Sequence, residues 1–160
     1  MLYLLDTSLL IRAKNEFYPM KRFWQVWEWL ETKAMNGQIK IPREIFGELL
    51  DYDDDLAEWA KLRKTIFVID EEVNHLSQIY YTGYEFKDEP SEKQIETMGK
   101  DPFLINYCLN DIRNRTAVSN EYSKPSKKEQ YRKIPDVCKN LDINHINMPQ
   151  LLHELDFNEK

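Results

Sequence analysis

Glycine is scarce in this 160-residue chain, which contains only four, at positions 37, 47, 83 and 99. Proteins average about 7% glycine, so this chain has less than half of the usual glycine content. Neighbouring glycines are also at least ten residues apart. Dinucleotide-binding fingerprints and P-loops need clustered glycines, because the backbone must approach the phosphates closely. The sequence therefore excludes both kinds of nucleotide site.

The ligand patterns of zinc proteins are missing as well. The two cysteines, Cys108 and Cys138, lie thirty residues apart, and the three histidines form no HExxH pair. These spacings match neither zinc sites nor redox motifs. Zinc chemistry and cysteine–histidine catalysis are therefore not expected.

Long apolar runs are also absent from the sequence. No segment approaches the roughly 18 apolar residues of a membrane-spanning helix. The N-terminus has no basic region followed by an apolar stretch, so it does not resemble a signal peptide. We therefore expect a cytoplasmic protein that has no contact with membranes.

The composition that remains is typical of one globular domain, which we expect to span residues 1–160. Apolar residues make up 42% of the chain and charged residues 31%. A chain of this length buries roughly 70% of its unfolded surface, so it needs no disulfide or structural metal to fold. Its net charge of −6 argues against a protein that coats nucleic acid with one basic surface.

Short apolar segments alternate with helical patterns along the chain. Strands are predicted at residues 2–5, 39–41, 66–69, 117–119 and 143–146. Apolar residues at helical spacing, and prolines near helix starts, predict helices around 23–30, 42–50, 73–80, 103–112 and 151–155. The polar residues 83–100 predict a loop or a short helix. This alternation is typical of an α/β sandwich around a mostly parallel sheet of about five strands.

Four acidic residues lie on separate predicted elements. Asp6 ends the first strand, and Glu48 lies in the helix after the second strand. Asp101 is placed at the N-cap of the helix before the fourth strand, and Glu121 follows that strand. Parallel sheets gather functional groups at the carboxyl ends of their strands, so these acids could meet there. The simpler interpretation is that the two aspartates cap helices and the two glutamates are solvated.

A cluster of carboxylates repels itself unless cations neutralise it. Mg²⁺ and Mn²⁺ favour oxygen ligands, and a pair of such ions can stabilise both the attacking and the leaving oxygen of a phosphoryl displacement.

Four short motifs, in their order along the chain, resemble those of PIN-domain ribonucleases. They are Leu4-Leu5-Asp6-Thr7-Ser8, Ile45-Phe46-Gly47-Glu48-Leu49-Leu50, Asp101-Pro102-Phe103-Leu104-Ile105 and Val118-Ser119-Asn120-Glu121. The matches cover most of the chain, and the longer pattern is similar to a prokaryotic subfamily of small stand-alone PIN-like proteins. Two positions depart from the family pattern. Pro102 replaces a small residue, and Glu121 replaces the more usual aspartate.

The resemblance implies a PIN-like three-layer sandwich and a metal-dependent endoribonuclease that acts on RNA. In this interpretation Asp6, Glu48 and Asp101 hold one or two Mg²⁺ or Mn²⁺ ions, and Glu121 completes the catalytic site. The competing extra ligand is Asp136. Thr7 or Ser8 would orient a water molecule at the metal, although capping of the first helix is an equal alternative. Many relatives are toxins inhibited by a small antitoxin protein, and dimers are common, so an antitoxin partner and a homodimer are expected.

Positive charge is concentrated next to the fourth acid. Residues 113–133 carry seven basic and two acidic side chains, a net charge of +5, which leaves −11 for the rest of the chain. This basic segment could bind RNA phosphates, and Tyr122 and Tyr131 could stack on bases. The expected phosphate contacts are Lys124, Lys127 and Lys128. The alternative is a solvated loop with no binding role.

Two further functions remain open from the sequence. One is an inactive PIN fold that binds RNA or protein without cleaving it, and the other is a Mg²⁺-dependent phosphohydrolase of a small molecule. The retained acids favour an enzyme over an inactive module. The basic segment favours a polymeric substrate over a small one.

Overall fold

A five-stranded parallel sheet forms the centre of the molecule, whose computed structural model describes residues 1–158. The strands are β1 (Leu2–Leu5), β2 (Ile39–Pro42), β3 (Val68–Ile69), β4 (Arg115–Val118) and β5 (Asn144–Ile146). Their order in the sheet is β3-β2-β1-β4-β5, and every neighbouring pair is parallel. Helices flank this sheet, so the expected α/β class is confirmed, and the architecture is consistent with a PIN-like three-layer sandwich.

Ten α-helices lie between and after the strands within residues 1–158. They are α1 (Thr7–Arg12), α2 (Trp24–Met35), α3 (Arg43–Phe46), α4 (Asp55–Leu62), α5 (Lys64–Phe67), α6 (Leu76–Gln78), α7 (Glu92–Met98), α8 (Asp101–Leu109), α9 (Ile134–Asn140) and α10 (Met148–Glu154). Two 3₁₀-helices cover Gly47–Leu50 and Glu129–Tyr131, and two π-helices cover Ala13–Phe17 and Ile79–Gly83. No helix of this described part is long and apolar enough to cross a membrane.

The apolar run at the N-terminus forms the central strand. In β1, Leu4 and Leu5 are completely buried, and Tyr3 is nearly so. Helices cover both faces of a parallel sheet, so a central strand has no face for polar side chains. This explains why the run is continuous rather than alternating. It also brings Asp6, the first polar residue after the run, to the carboxyl end of the innermost strand.

Close packing fixes the second π-helix against α9. A Cβ atom added to Gly83 would lie 2.8 Å from Cγ1 of Val137 and 2.9 Å from Cδ1 of Leu141. Real side chains almost never approach so closely, so only glycine fits here unless the side chains of Val137 and Leu141 shift. The contact holds the residue after it, Tyr84, at the buried end of the π-helix.

Several predicted boundaries are wrong. The third strand contains only Val68–Ile69, because Lys64–Phe67 is helical. Phe67 packs against Trp59, with the ring centroids 5.2 Å apart. Four apolar residues in a row fit either a strand or a buried helical turn, and packing chose the helix for the first two of them.

Two helix starts also differ from the predictions. Pro42 is the N-cap of α3 rather than part of its first turn, and the expected helix over 42–50 divides into α3 and a 3₁₀-helix. Asp101 is the first residue of α8, with Lys100 at the N-cap. Proline has a fixed φ that suits both strand ends and helix starts, so it marks such a boundary only to within a residue.

Candidate active site

Asp6 lies at the junction between β1 and α1, next to the neighbouring strand. Its backbone N–H donates to the carbonyl oxygen of Val118, at 3.0 Å, which continues the pairing of β1 with β4. The side chain is 8% exposed, and its Oδ2 accepts a hydrogen bond of 2.5 Å from the hydroxyl of Ser8. Both the position and the orientation of this carboxylate are therefore fixed by its immediate neighbours.

Thr7 connects the same junction to the second acid. Its side chain is completely buried, and its Oγ1 donates a hydrogen bond of 2.5 Å to Oε2 of Glu48 in the first 3₁₀-helix. Each of the two hydroxyls expected to orient water, those of Thr7 and Ser8, thus orients a carboxylate in the structure. The consecutive hydroxyls of Thr7 and Ser8 therefore orient Glu48 and Asp6, two acids that lie 42 positions apart in the sequence.

The four predicted acids interact electrostatically. Burial raises the pKa of Asp101 to about 8, and the charges of Asp6, Glu121 and Glu48 raise it as well, while Lys133 lowers it. Burial also raises the pKa of Asp6 to about 6. The hydrogen bond from Ser8 opposes that shift, and the charges of Glu121 and Glu48 add to it. The structure therefore brings the four acids near enough to one another for their repulsion to affect protonation.

Glu121 and Asp136, the competing candidates for the fourth acid, both fasten the loop after β4 to α9. Oε2 of Glu121 accepts a hydrogen bond of 2.8 Å from the backbone N–H of Ile134. The two oxygens of Asp136, which is 5% exposed, accept from the Ser123 hydroxyl and from the backbone N–H of Lys124. Both carboxylate oxygens of Asp136, in α9, are thus occupied by hydrogen bonds from this loop. The charge of Glu121, by contrast, acts on Asp6 and Asp101.

The acids do not form a finished metal cage. Within residues 1–158, no group of three or more histidine, cysteine, aspartate or glutamate side chains is arranged so that it could hold a metal ion. The four carboxylates interact through their charges, but their present positions fall short of joint coordination.

Tyr84 is a residue of this region that the sequence analysis did not identify. Its side chain is only 1% exposed, and its hydroxyl has no hydrogen-bond partner in the described part of the chain. Burial raises its pKa well above the usual value, and the nearby charges of Asp101 and Glu121, among others, contribute. A buried hydroxyl without a partner costs about 1–3 kcal/mol, so its position beside the acids suits a polar ligand. The sequence carries no signal for it, since Tyr84 lies in an aromatic-rich segment typical of a core.

Basic side chains lie at the edge of the acidic cluster. A small cavity of about 220 Å³ is lined by Ser8, Glu121 and the cationic side chains of Arg12, Lys124 and Lys133, among others. Of the three lysines expected to contact phosphates, only Lys124 lines this cavity. The other two, Lys127 and Lys128, are exposed further along the same loop.

Comparison with known proteins adds a family but no activity. The family model described as "Domain of unknown function (DUF4411)" matches residues 3–158. No curated protein and no solved structure matches the chain. Because the family model spans nearly the whole sequence, the chain belongs to the DUF4411 family.

Proposed function

We propose that this protein is a metal-dependent endoribonuclease of the PIN type, which hydrolyses phosphodiester bonds in RNA. The observation that carries the proposal is the electrostatic coupling of Asp6, Glu48, Asp101 and Glu121. These acids occupy, in order, the positions of the four PIN-like motifs. Bringing several carboxylates together is unfavourable for folding because they repel one another, so their presence on four elements is better explained by function than by stability.

The donor set fits a divalent cation. Hard ions such as Mg²⁺ and Mn²⁺ prefer carboxylate oxygens, and Asp6, Glu48 and Asp101 would hold the ion while Glu121 completes the site. Coordination requires the carboxylates to approach one another, which a cation favours because it neutralises their repulsion. The unpartnered hydroxyl of Tyr84 beside Asp101 further supports a polar ligand in this region.

The residues of the chain would orient the substrate and the ligands. When bound, the ion supplies positive charge beside the scissile phosphate and makes water a stronger nucleophile. Thr7 and Ser8 keep Glu48 and Asp6 in fixed orientations, which lowers the cost of assembling the site. The cationic side chains of the small cavity would bind the phosphates on either side of the cleaved bond.

Cellular context forms a second part of the proposal. We place the protein in the cytoplasm as a homodimer, and as the toxin of a pair whose small antitoxin protein inhibits it. Both cysteines, Cys108 and Cys138, are buried and free, which agrees with a reducing compartment. The toxin role comes from the resemblance to small stand-alone PIN-like proteins.

The decisive experiment compares the purified parent protein with its Asp101→Asn variant. Labelled single-stranded RNA, DNA of the same sequence and a small phosphomonoester are incubated with Mg²⁺, Mn²⁺ or EDTA. We expect the parent to cleave RNA only with metal, and the variant to lose more than about 100-fold in rate, because even residues that support metal ligands typically contribute 10- to 100-fold.

The matched control is Asp88→Asn, which removes one charge from an exposed loop and should retain the parental rate. Undiminished RNA cleavage by Asp101→Asn would refute the assignment of the acids. Hydrolysis of the phosphomonoester in preference to RNA would instead support the small-molecule phosphohydrolase.

A further inference from the structure

A larger cavity adjoins the acidic cluster, and the proposed metal chemistry does not use it. Its volume is about 380 Å³, within the range of ligand pockets in proteins. The walls come from residues 12–18 at the end of α1 and in the first π-helix, residues 120–123 after β4, residues 145–150 at β5 and the start of α10, and Pro135 in α9. The π-helix is notable because such turns are frequent at functional sites.

Exposed aromatic rings line this cavity. Phe17 is 52% exposed and Tyr122 is 75% exposed, although both are large and partly apolar. The guanidinium of Arg12 lies over the Phe17 ring, 5.7 Å from its centroid. Flat rings accessible from solvent are the surfaces on which single-stranded nucleic acid stacks its bases.

The polar side chains of the cavity offer hydrogen-bond donors. The side-chain oxygens of Asn120, Asn147 and Gln150 each accept a backbone N–H, at distances of 2.9–3.1 Å. Their amide nitrogens have no protein partner within residues 1–158. Because the oxygens are engaged and the nitrogens are not, the cavity favours ligands that carry acceptors. Ring nitrogens and carbonyl oxygens of nucleobases are such acceptors.

The cavity continues directly into the small cationic one. The two share Arg12, Asn120, Glu121 and Tyr122, and the smaller one adds Lys124 and Lys133. Ser8, whose hydroxyl donates to Asp6, also lines the smaller cavity. Aromatic rings and cationic side chains therefore lie together beside the acidic cluster. A nucleotide matches this combination, since its base is flat and apolar and its phosphate is anionic.

We propose that the larger cavity binds one nucleobase of single-stranded RNA, next to the phosphodiester that is cleaved, and so gives the enzyme a sequence preference. The inference rests on the proposed function, because it assumes that RNA reaches the acidic cluster. The base stacks on Tyr122 and Phe17 and accepts hydrogen bonds from the free amide nitrogens. Double-stranded RNA does not fit, because its bases are paired and stacked on each other.

Binding measurements with abasic RNA test the cavity. Fluorescence anisotropy is recorded for Asp101→Asn protein with a short single-stranded RNA in which an abasic residue is moved along the chain. One position should weaken binding about 5- to 150-fold, the factor that corresponds to one base stacked on an aromatic side chain. Adding Tyr122→Ala or Phe17→Ala should weaken binding of intact RNA similarly and abolish the penalty at that abasic position.

Two controls separate stacking from other effects of these changes. Tyr122→Phe keeps the ring and should have nearly the RNA affinity of Asp101→Asn protein without a second substitution. Tyr52→Ala removes an aromatic side chain that is 61% exposed and lines neither of these two cavities, so it should change nothing. Melting temperatures of all variants should be close to that of the unsubstituted protein, since the altered residues are exposed.

The outcomes distinguish this inference from the proposed function. In one outcome, cleavage depends on Asp101, but Tyr122→Ala and Phe17→Ala bind RNA like Tyr52→Ala and no abasic position weakens binding. The proposal of a base pocket is then wrong, whereas the proposed nuclease activity is supported. If the parent shows no metal-dependent cleavage but the coupling between Tyr122 and one base persists, the pocket stands and the nuclease is wrong. Absence of both cleavage and RNA binding overturns both.

Discussion

Single side chains decide how the candidate site is oriented. Asp6, Thr7 and Ser8 are consecutive, yet each has a separate task at the end of β1. Thr7 reaches Glu48, Ser8 binds back to Asp6, and Asp6 lies among the other acids. From the sequence alone, a hydroxyl residue next to an acidic residue is interpreted either as a helix cap or as a residue that orients a catalytic water molecule. Which of these applies depends on the carboxylate that the fold brings within reach.

His145 gives the stability of the protein a pH dependence. It lies in β5 and shares a hydrogen bond of 2.7 Å with Ser119, and burial lowers its pKa from 6.5 to about 4. The unfolded chain therefore binds a proton at a higher pH than the folded protein does. Stability should fall as the pH drops from about 6.5 to 4, by up to about 3 kcal/mol from this residue.

Urea denaturation at several pH values measures this effect. The variant His145→Gln should show a weaker loss of stability between pH 6.5 and 4 than the parent. The matched control, His153→Gln, changes an exposed histidine, and its pH dependence should follow that of the parent. Equal pH dependence of His145→Gln and the parent would contradict the assignment.

Among the structural elements, the loop after β4 carries both Glu121 of the acidic cluster and the lysines of the basic segment. Glu121 and Asp136 attach this loop to the first turn of α9. Arg132 adds a hydrogen bond to the carbonyl of Asp136, and its ion pair with Glu85 attaches the loop to the segment after the second π-helix. The segment is therefore fastened at its two ends, while the lysines between them remain exposed.

Replacing Lys124, Lys127 and Lys128 by alanine tests the basic segment. We expect RNA binding to weaken to a similar degree for all sequences, because phosphate contacts carry no base information. The dependence of log affinity on log salt should flatten by up to roughly 0.7 per lost contact to single-stranded RNA. Binding is measured at several salt concentrations with Asp101→Asn protein and added metal.

A charge-matched triple variant controls for net charge. Lys61, Lys64 and Lys87 are exposed and lie outside the basic segment, so their replacement by alanine should leave most of the affinity and slope intact. If the two triple variants behave alike, the basic segment is only a solvated loop and RNA approaches by another face.

For the molecule as a whole, the acidic cluster joins parts that are distant in sequence. The acids come from the end of β1, a 3₁₀-helix, the start of α8 and the loop after β4. A cation held by all of them would stabilise the folded state by mass action, about 2.7 kcal/mol at a hundredfold excess over its dissociation constant. Repulsion among the same groups destabilises the protein in EDTA.

Thermal melts of the parent and Asp6→Asn test this coupling. In EDTA the variant should melt at the same temperature as the parent or higher, because one of the mutually repelling charges is gone. Mg²⁺ should raise the melting temperature of the parent more than that of the variant. Asp88→Asn serves as the control and should respond to Mg²⁺ like the parent. An equal response of Asp6→Asn and the parent would show that Asp6 is no ligand.

The class of the fold and the candidate residues could be predicted from the sequence. Each of the five strands was predicted, because a strand buried in a parallel sheet needs an apolar run that is visible within a few residues. The four acids could be named because each lies in a short motif that resembles those of PIN domains, whereas their spacing alone was only suggestive. Boundaries were less certain where four apolar residues suit both a strand and a helical turn, as at residues 66–69, of which the first two are helical.

Which side chains contact one another could not be predicted and follows from the assembled fold. The hydrogen bond from Thr7 to Glu48 and the aromatic cavity beside Glu121 each bring together residues from separate elements. The absence of a partner for the buried hydroxyl of Tyr84, within residues 1–158, likewise depends on what the fold places around it. Local patterns carry no information about such neighbours, because packing of the whole core sets which elements lie side by side. Hydrophobic periodicity therefore predicts where a residue is buried, whereas its partners, and the shift of its pKa, follow from the assembled fold.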